Sequence, residues 1–209
     1  MNELALFAGA GGGILGGKLL GWRTVCAVEI EPYCQRILMQ RQDDGILEPF
    51  PVWGDIKTFN GKLWAGKVDI ITAGFPCQSF SSAARGRLVA ENMWPEVIRV
   101  ANEVQPKYVF CENVPHSELP GLELSAADLG APHIRKRHWA IGNTDSDREP
   151  ILALDGQASR LQEIGKDIWE IDPRDMGMVN GVAHRMDRLR AAGNGQIPIV
   201  AATAWRILK

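Results

Sequence analysis

The sequence predicts an α/β fold: a doubly wound, Rossmann-like, mostly parallel sheet with helices on both faces. Three observations predict it. Short apolar runs rich in β-branched residues alternate with helical stretches along the chain. A glycine-rich loop directly follows the first such run, and acidic residues close the second. A cysteine and a glutamate each follow a later apolar run, so parallel pairing puts both at the strands' C-terminal rim, where open α/β sheets bind ligands.

Glu3-Leu4-Ala5-Leu6-Phe7 reads as the first strand, running into Ala8-Gly9-Ala10-Gly11-Gly12-Gly13 and a helix to about Leu20, with Gly21 as its stop. Thr24-Val25-Cys26-Ala27-Val28 is the second strand and ends on Glu29-Ile30-Glu31; a helix follows from Pro32 to about Gln42. Strand, glycine loop, helix, strand and acid make a nucleotide-binding half, in which the acid holds ribose hydroxyls. Gly11-x-Gly13-x-x-Gly16 formally satisfies the dinucleotide fingerprint, so a nicotinamide dehydrogenase competes at this point. The loop next to the strand, Phe7-x-Gly9-x-Gly11-Gly12, suits S-adenosylmethionine instead.

Val52-Trp53-Gly54-Asp55-Ile56 follows, where Asp55 either accepts from the exocyclic amine of an adenine or caps a turn. Val68-Asp69-Ile70-Ile71-Thr72-Ala73 is a buried strand that delivers Gly74-Phe75-Pro76-Cys77-Gln78-Ser79-Phe80-Ser81. Pro76 stiffens the turn at Cys77, which is a nucleophile if its pKa is lowered and a half-buried structural thiol otherwise. The polar loop Ser79 to Asn92 carries Arg85 and Arg87 and reads as a segment able to close over a substrate. Trp94 to Val104 is an amphipathic helix, and Lys107-Tyr108-Val109-Phe110-Cys111 a strand that brings Glu112-Asn113-Val114-Pro115 beside Cys77.

Composition narrows the classes. Of the 209 residues, 45% are hydrophobic and 23% charged, which is globular rather than disordered. A net charge of -2 gives no whole-chain electrostatic case for nucleic acid, so any basic surface is local. No stretch is apolar and long enough to span a membrane, and the start lacks a signal pattern. The four cysteines, at 26, 34, 77 and 111, include no C-x-x-C pair, which argues against zinc and a disulfide framework and for a reducing cytoplasm. Cys26 and Cys111 fall inside apolar strands and read as core.

The Cys77 and Glu112 pairing has chemical meaning. A thiolate adds to carbon 6 of cytosine only if ring nitrogen 3 accepts a proton or a strong hydrogen bond, and a protonated carboxyl supplies it. Addition makes carbon 5 electron-rich, ready to take a methyl group from a sulfonium.

With these residues the chain resembles the cytosine-5 DNA methyltransferases, of shortened phage or bacterial type. Phe7-Ala8-Gly9-Ala10-Gly11-Gly12 resembles the family's cofactor loop, Glu29 its ribose-binding acid and Gly54-Asp55-Ile56 its adenine segment. Gly74-Phe75-Pro76-Cys77-Gln78 matches the catalytic loop, and Glu112-Asn113-Val114 the catalytic glutamate motif. Gly130-Ala131-Pro132-His133-Ile134-Arg135-Lys136-Arg137 resembles the Arg-x-Arg segment, whose Arg137 would contact the cytosine carbonyl oxygen. Gly193-Asn194-Gly195-Gln196-Ile197-Pro198 resembles the last motif, whose helix completes the cofactor pocket.

The resemblance implies a class I S-adenosylmethionine-dependent methyltransferase with a trimmed second half. It implies Cys77, Glu112, Arg135 and Arg137 as the catalytic set. Contacts to S-adenosylmethionine fall to Phe7, Gly9, Gly11, Gly12, Glu29, Ile30, Asp55, Ile56, Pro76, Asn194 and Gly195. Contacts to DNA fall to Pro76, Gln78, Ser81, Arg85, Arg87, Asn113, Val114, Arg185 and Arg188. Some features depart from the family. His133 and Ile134 stand where Gln and Arg are usual. The stretch from Val114 to Leu124 is too short for the customary helix, and no Arg-Gln-x-Thr motif precedes the final segment. The chain divides as a catalytic and cofactor core over 1–142, a small, acidic recognition-like insert over 143–180, and a returning segment over 181–209.

The expected activity is methyl transfer from S-adenosylmethionine to carbon 5 of a flipped-out cytosine through a cysteine adduct, leaving S-adenosylhomocysteine. Two alternatives stay open: a trimmed, weak or inactive member that binds cofactor, nucleic acid or a partner, and an RNA cytosine-5 methyltransferase. DNA is the expected partner, within a restriction-modification system or in a phage's host, in the cytoplasm of a bacterial or phage-infected cell and away from membranes.

Overall fold

In a computed structural model, residues 1–75, 92–113, 120–143 and 195–209 are described. Among them seven strands form one sheet. In chain order they are β1 (Asn2–Leu6), β2 (Arg23–Val28), β3 (Val52–Trp53), β4 (Ile70–Ala73), β5 (Tyr108–Asn113), β6 (Leu122–Ser125) and β7 (Lys136–Asn143). Their spatial order is β3-β2-β1-β4-β5-β7-β6. The pairs from β3 to β5 are parallel, whereas β7 runs antiparallel to both β5 and β6. Strand order reverses between β1 and β4, which opens a crevice at their C-terminal ends.

Four described helices flank the sheet: α1 (Gly12–Leu19), α2 (Pro32–Asp43), α3 (Trp94–Val104) and α4 (Pro198–Leu208). Alternation along the strands gives each face its own core. Leu4, Leu6, Ile71 and Cys111 pack against Val97, Val100 and Val104 of α3. On the opposite face Ile70, Phe110 and Trp139 pack against Val200, Ala204 and Trp205 of α4. There the Trp205 ring meets Tyr108 and Phe110 edge-on, with centroids 5.3 and 5.5 Å away, and Phe110 stacks on Trp139 at 5.4 Å. Ala5 and Ala27 on that face meet Ile14 of α1 and Leu38 of α2.

Arg99 of α3 holds the connection after β3. Its guanidinium donates to the carbonyls of Ile56 at 2.6 Å and Phe59 at 3.1 Å and pairs with Glu96 and Glu103, each at 2.9 Å. This clamp fixes the 3-10 turn Ile56–Thr58 that Asp55 opens.

Several expectations meet their boundaries closely. Pro32 opens α2, Trp94 to Val104 is helical, and Gly21, at φ +74°, follows the C-cap of α1. Two differ. The fourth strand begins at Ile70 rather than Val68. β5 continues through Glu112 and Asn113, because Trp139 and His138 of β7 pair opposite them. Glu112 therefore stands within the strand ladder instead of in the loop beyond it. The loop after Cys77, most of the 143–180 insert and the start of the 181–209 segment lie outside the described residues.

Candidate functional site

The site begins where β1 runs out. Phe7 sits in the left-handed region at φ +54°, uncommon for a residue with a side chain, and turns the chain into the glycine loop. Gly9 and Gly11 also have positive φ, and the Gly11 N–H closes the turn on the Ala8 carbonyl at 2.9 Å. A side chain at Gly12 would put its Cβ 2.0 Å from the Gln196 carbonyl oxygen, so glycine there lets the C-terminal segment lie against the loop.

Glu29, buried at the end of β2, braces this loop: Oε2 accepts from the Gly9 N–H at 2.6 Å and Oε1 from the Glu31 N–H at 2.8 Å. Burial pushes its carboxyl pKa up, against these backbone donors. Each carboxylate oxygen has a second lone pair, which leaves acceptor capacity for a ligand hydroxyl. Ile30 and Trp53, at the ends of β2 and β3, are large apolar side chains left 66% and 47% exposed. Asp55 caps the turn, its Oδ1 accepting from the Lys57 N–H at 2.9 Å. The Ile56 side chain lies in the core, and its carbonyl accepts from Arg99 and from the Phe59 N–H.

A concavity lies between the glycine loop and the end of β4, lined by Phe7, Gly9, Thr72, Gly74, Gly195 and Gln196. The donor set fits S-adenosylmethionine. A braced acid suits the ribose, exposed apolar side chains suit the adenine faces, and a loop whose Gly9 has nothing within 4 Å of an ideal Cβ suits a close ligand.

The second half of the site is built on β5 and β7. Glu112 is 6% exposed. Its Oε1 receives Arg137 Nε at 2.8 Å, and its Oε2 receives Gln196 Nε2 at 3.4 Å. Burial raises its pKa, and Arg137, Arg135 and the Gln196 amide oppose that rise. Arg135 donates to the Gly195 carbonyl at 2.5 Å, which ties the start of β7 to the C-terminal segment. Asn113 is buried, one position on from Glu112 and so directed to the sheet's other face.

Gly74 and Phe75 leave β4 beside this carboxyl, and an ideal Cβ on Gly74 would stand 3.2 Å from Glu112 Oε2. The last described residues before Pro76 thus lie beside Glu112. Pro76, Cys77, Gln78, Ser81, Arg85, Arg87, Val114, Arg185, Arg188 and Asn194 lie outside the described residues. The other three cysteines are buried, and burial first of all raises their thiols, to about 12 for Cys26, 11 for Cys34 and 12 for Cys111. Among the described residues no three His, Cys, Asp or Glu side chains group to hold a metal.

Sequence reasoning missed two features. Gln196 lies in the segment read as the last motif, yet only contact with Glu112 and with the glycine loop distinguishes it from its neighbours. Trp139 lines a second small cavity with Thr72, Phe110 and Glu112, and its buried indole N–H has no partner among the described residues. A tryptophan in a strand carries no signal of that kind.

Comparison with known proteins agrees with this geometry. Residues 1–117 match the model of the C-5 cytosine-specific DNA methylase family. The Type II methyltransferase M.NgoMIV of Neisseria gonorrhoeae is 38% identical over 116 residues, covering 54% of this chain and 35% of the relative. M.AquIA of Picosynechococcus is 31% identical over 214 residues, covering 79% of this chain and 82% of the relative. Against M1.HphI of Haemophilus parahaemolyticus, 33% identical, the chain spans 46% of the relative's length and is covered over 69% of its own. A crystal structure described as a DNA modification methyltransferase encoded within an Escherichia coli prophage superimposes with a TM-score of 0.54 at 28% identity, over 68% of this chain and 46% of that one. The Dnmt2 methyltransferase of S. pombe shares the fold, with a TM-score of 0.54 at 22% identity over 71% of this chain and 51% of its own. The sheet is that of a class I methyltransferase, and the chain belongs to the C-5 cytosine-specific DNA methylase family.

Proposed function

We propose that this chain transfers a methyl group from S-adenosylmethionine to carbon 5 of cytosine in DNA. The observation that carries the reading is the buried Glu112 carboxyl, held by Arg137 at the rim where β4 releases Gly74-Phe75 toward Pro76-Cys77. The family match over residues 1–117 supports it.

Phe7, Gly9, Gly11, Gly12, Glu29, Ile30, Asp55, Ile56, Pro76, Asn194 and Gly195 hold the methyl donor. When bound, S-adenosylmethionine supplies an electrophilic methyl group on a positively charged sulfur. The Cys77 thiolate forms a bond to carbon 6, and Glu112 gives its proton to ring nitrogen 3 as the ring electrons move toward carbon 5. Arg137 steadies both the Glu112 carboxyl and the cytosine carbonyl oxygen, and Arg135 holds the Gly195 segment against them. Carbon 5 then accepts the methyl group while the sulfur keeps the bonding pair. Loss of the carbon 5 proton to a base, with release of the Cys77 thiolate and return of the nitrogen 3 proton to Glu112, restores the ring. The target leaves the stack for this addition. Pro76, Gln78, Ser81, Arg85, Arg87, Asn113, Val114, Arg185 and Arg188 contact the DNA strand.

In this reading residues 1–142 are the catalytic core, 143–180 a small recognition insert and 181–209 the returning segment. The names of the Type II relatives support a restriction-modification setting with a cognate endonuclease, in a bacterial or phage-infected cytoplasm. The test is methyl transfer from labelled S-adenosylmethionine to mixed-sequence DNA, with mapping of the modified bases. Label on carbon 5 of cytosine is expected. Label on RNA alone favours the RNA-directed alternative, and no transfer despite donor binding favours an inactive member.

A further inference from the structure

We propose that Gln196 is a positioning residue that joins the methyl-donor pocket to Glu112, so that seating the donor sets the orientation of the catalytic carboxyl. The inference rests on the reading of that pocket and of Glu112 given above.

Gln196 lines both the concavity beside the glycine loop and the small cavity behind Glu112. Its side chain crosses between them. Nε2 donates to Glu112 Oε2 at 3.4 Å. The carboxamide passes between two positions that lack a side chain. An ideal Cβ on Gly13 of α1 would lie 2.4 Å from Gln196 Oε1, and one on Gly74 would lie 2.6 Å from Nε2. Its own carbonyl oxygen is set against Gly12, where an ideal Cβ would come within 2.0 Å. The amide is therefore clamped by the glycine loop on one side and by the exit from β4 on the other.

A second contact runs in parallel. Arg135, one of the charges acting on Glu112, donates to the carbonyl of Gly195, the residue before Gln196. The C-terminal segment thus reaches the Glu112 carboxyl through the Gln196 amide and through Arg135. Arg137 on β7 holds the remaining oxygen at 2.8 Å. A ligand that presses on the glycine loop or on Gly195 moves the one donor to Glu112, among the described residues, that the strands themselves do not fix. Positioning is the whole of this role: Gln196 exchanges no proton in the reaction.

The test is a titration of the whole chain carrying carboxyl-13C glutamate, with Glu112→Gln identifying the Glu112 signal. Gln196→Met keeps the chain length and removes the donor. The Glu112 midpoint is expected to rise in Gln196→Met without ligand, because a hydrogen bond to the charged form is lost. Saturating S-adenosylhomocysteine is expected to move the wild-type midpoint and to move that of Gln196→Met by less than half as much. Affinity for this product is expected to stay within about threefold, since only a peripheral contact changes. In turnover, kcat falls about tenfold with little change in KM for the donor, less than the factor of about 10²–10⁴ that loss of the acid itself costs. If Gln196→Met does not fold, Gln196→Glu keeps the shape and is expected to raise the midpoint further by adding a like charge.

A wild-type midpoint indifferent to bound S-adenosylhomocysteine, or an equal response in wild type and variant, overturns the coupling alone. Failure of wild type to bind S-adenosylhomocysteine overturns the proposed donor and the coupling with it.

Discussion

Glu112 illustrates how one residue can be held between two protonation states. Burial pushes its carboxyl toward the neutral form, while two arginines and an amide pull it back. A group in that balance can give a proton to ring nitrogen 3 and take it back within one turnover. Glu112→Gln keeps the shape and removes the acid, so kcat is expected to fall about 10²–10⁴-fold with donor affinity retained, measured by methyl transfer and calorimetry. Glu3 is a second buried acid, with no part in the proposed chemistry. It is fully buried in β1 and accepts from Thr24 and Thr72 hydroxyls, each at 2.7 Å. Burial raises its pKa above the ordinary 4.5, against those two hydrogen bonds. The native state then binds the proton more tightly than the unfolded chain. Its stabilising contribution is present below about pH 4.5 and is lost as pH rises through the raised native value. Denaturant unfolding at several pH values should show Glu3→Gln gaining on wild type toward pH 8 and losing that advantage near pH 4.5. A constant difference would mean that Glu3 does not titrate.

Elements were legible where period and punctuation agreed. The first strand, the glycine loop, the Pro32 helix and the Trp94 helix each carried a local signal. The extension of β5 did not, because it depends on β7 arriving antiparallel beside Glu112 and Asn113. Asp55 was readable as either a ligand or a cap, and the structure shows the cap. The Arg99 clamp joins residues 40 or more positions apart, too far for any periodicity to reveal. Arg99→Ala should cost about 1–3 kcal/mol, since the charged hydrogen bonds to two carbonyls are lost together. It should also weaken donor binding by loosening the Asp55 turn. Chemical denaturation and product titration check the two effects separately.

At the scale of the whole molecule, the rim of the sheet was legible because parallel strands deliver their C-terminal ends to one place. The family's motifs supplied the rest of the proposed site, of which Glu112, Arg135, Arg137 and Gly195 to Pro198 are among the described residues and Cys77 is not. The Glu112–Gln196 contact was not legible, since it spans 84 positions and needs the docking of α4 against α1 to form. Gly16 lets α4 approach α1, its ideal Cβ falling 2.8 Å from the Pro198 carbonyl oxygen, and Gly12 lets the Gln196 backbone lie against the glycine loop. Gly12→Ala should separate the C-terminal segment from the loop, cost about 1–3 kcal/mol as an overpacked contact, and abolish tight donor binding. The central claim is that Cys77 adds to cytosine with Glu112 as its acid, and covalent trapping tests it most directly. DNA carrying 5-fluorocytosine is incubated with the chain and S-adenosylmethionine, then resolved on a denaturing gel. Fluorine cannot leave as a cation, so the thioether should persist as a slow band in wild type, form much more slowly in Glu112→Gln and be absent in Cys77→Ala. No band from wild type that binds the donor, or a band that survives Cys77→Ala, would contradict the account.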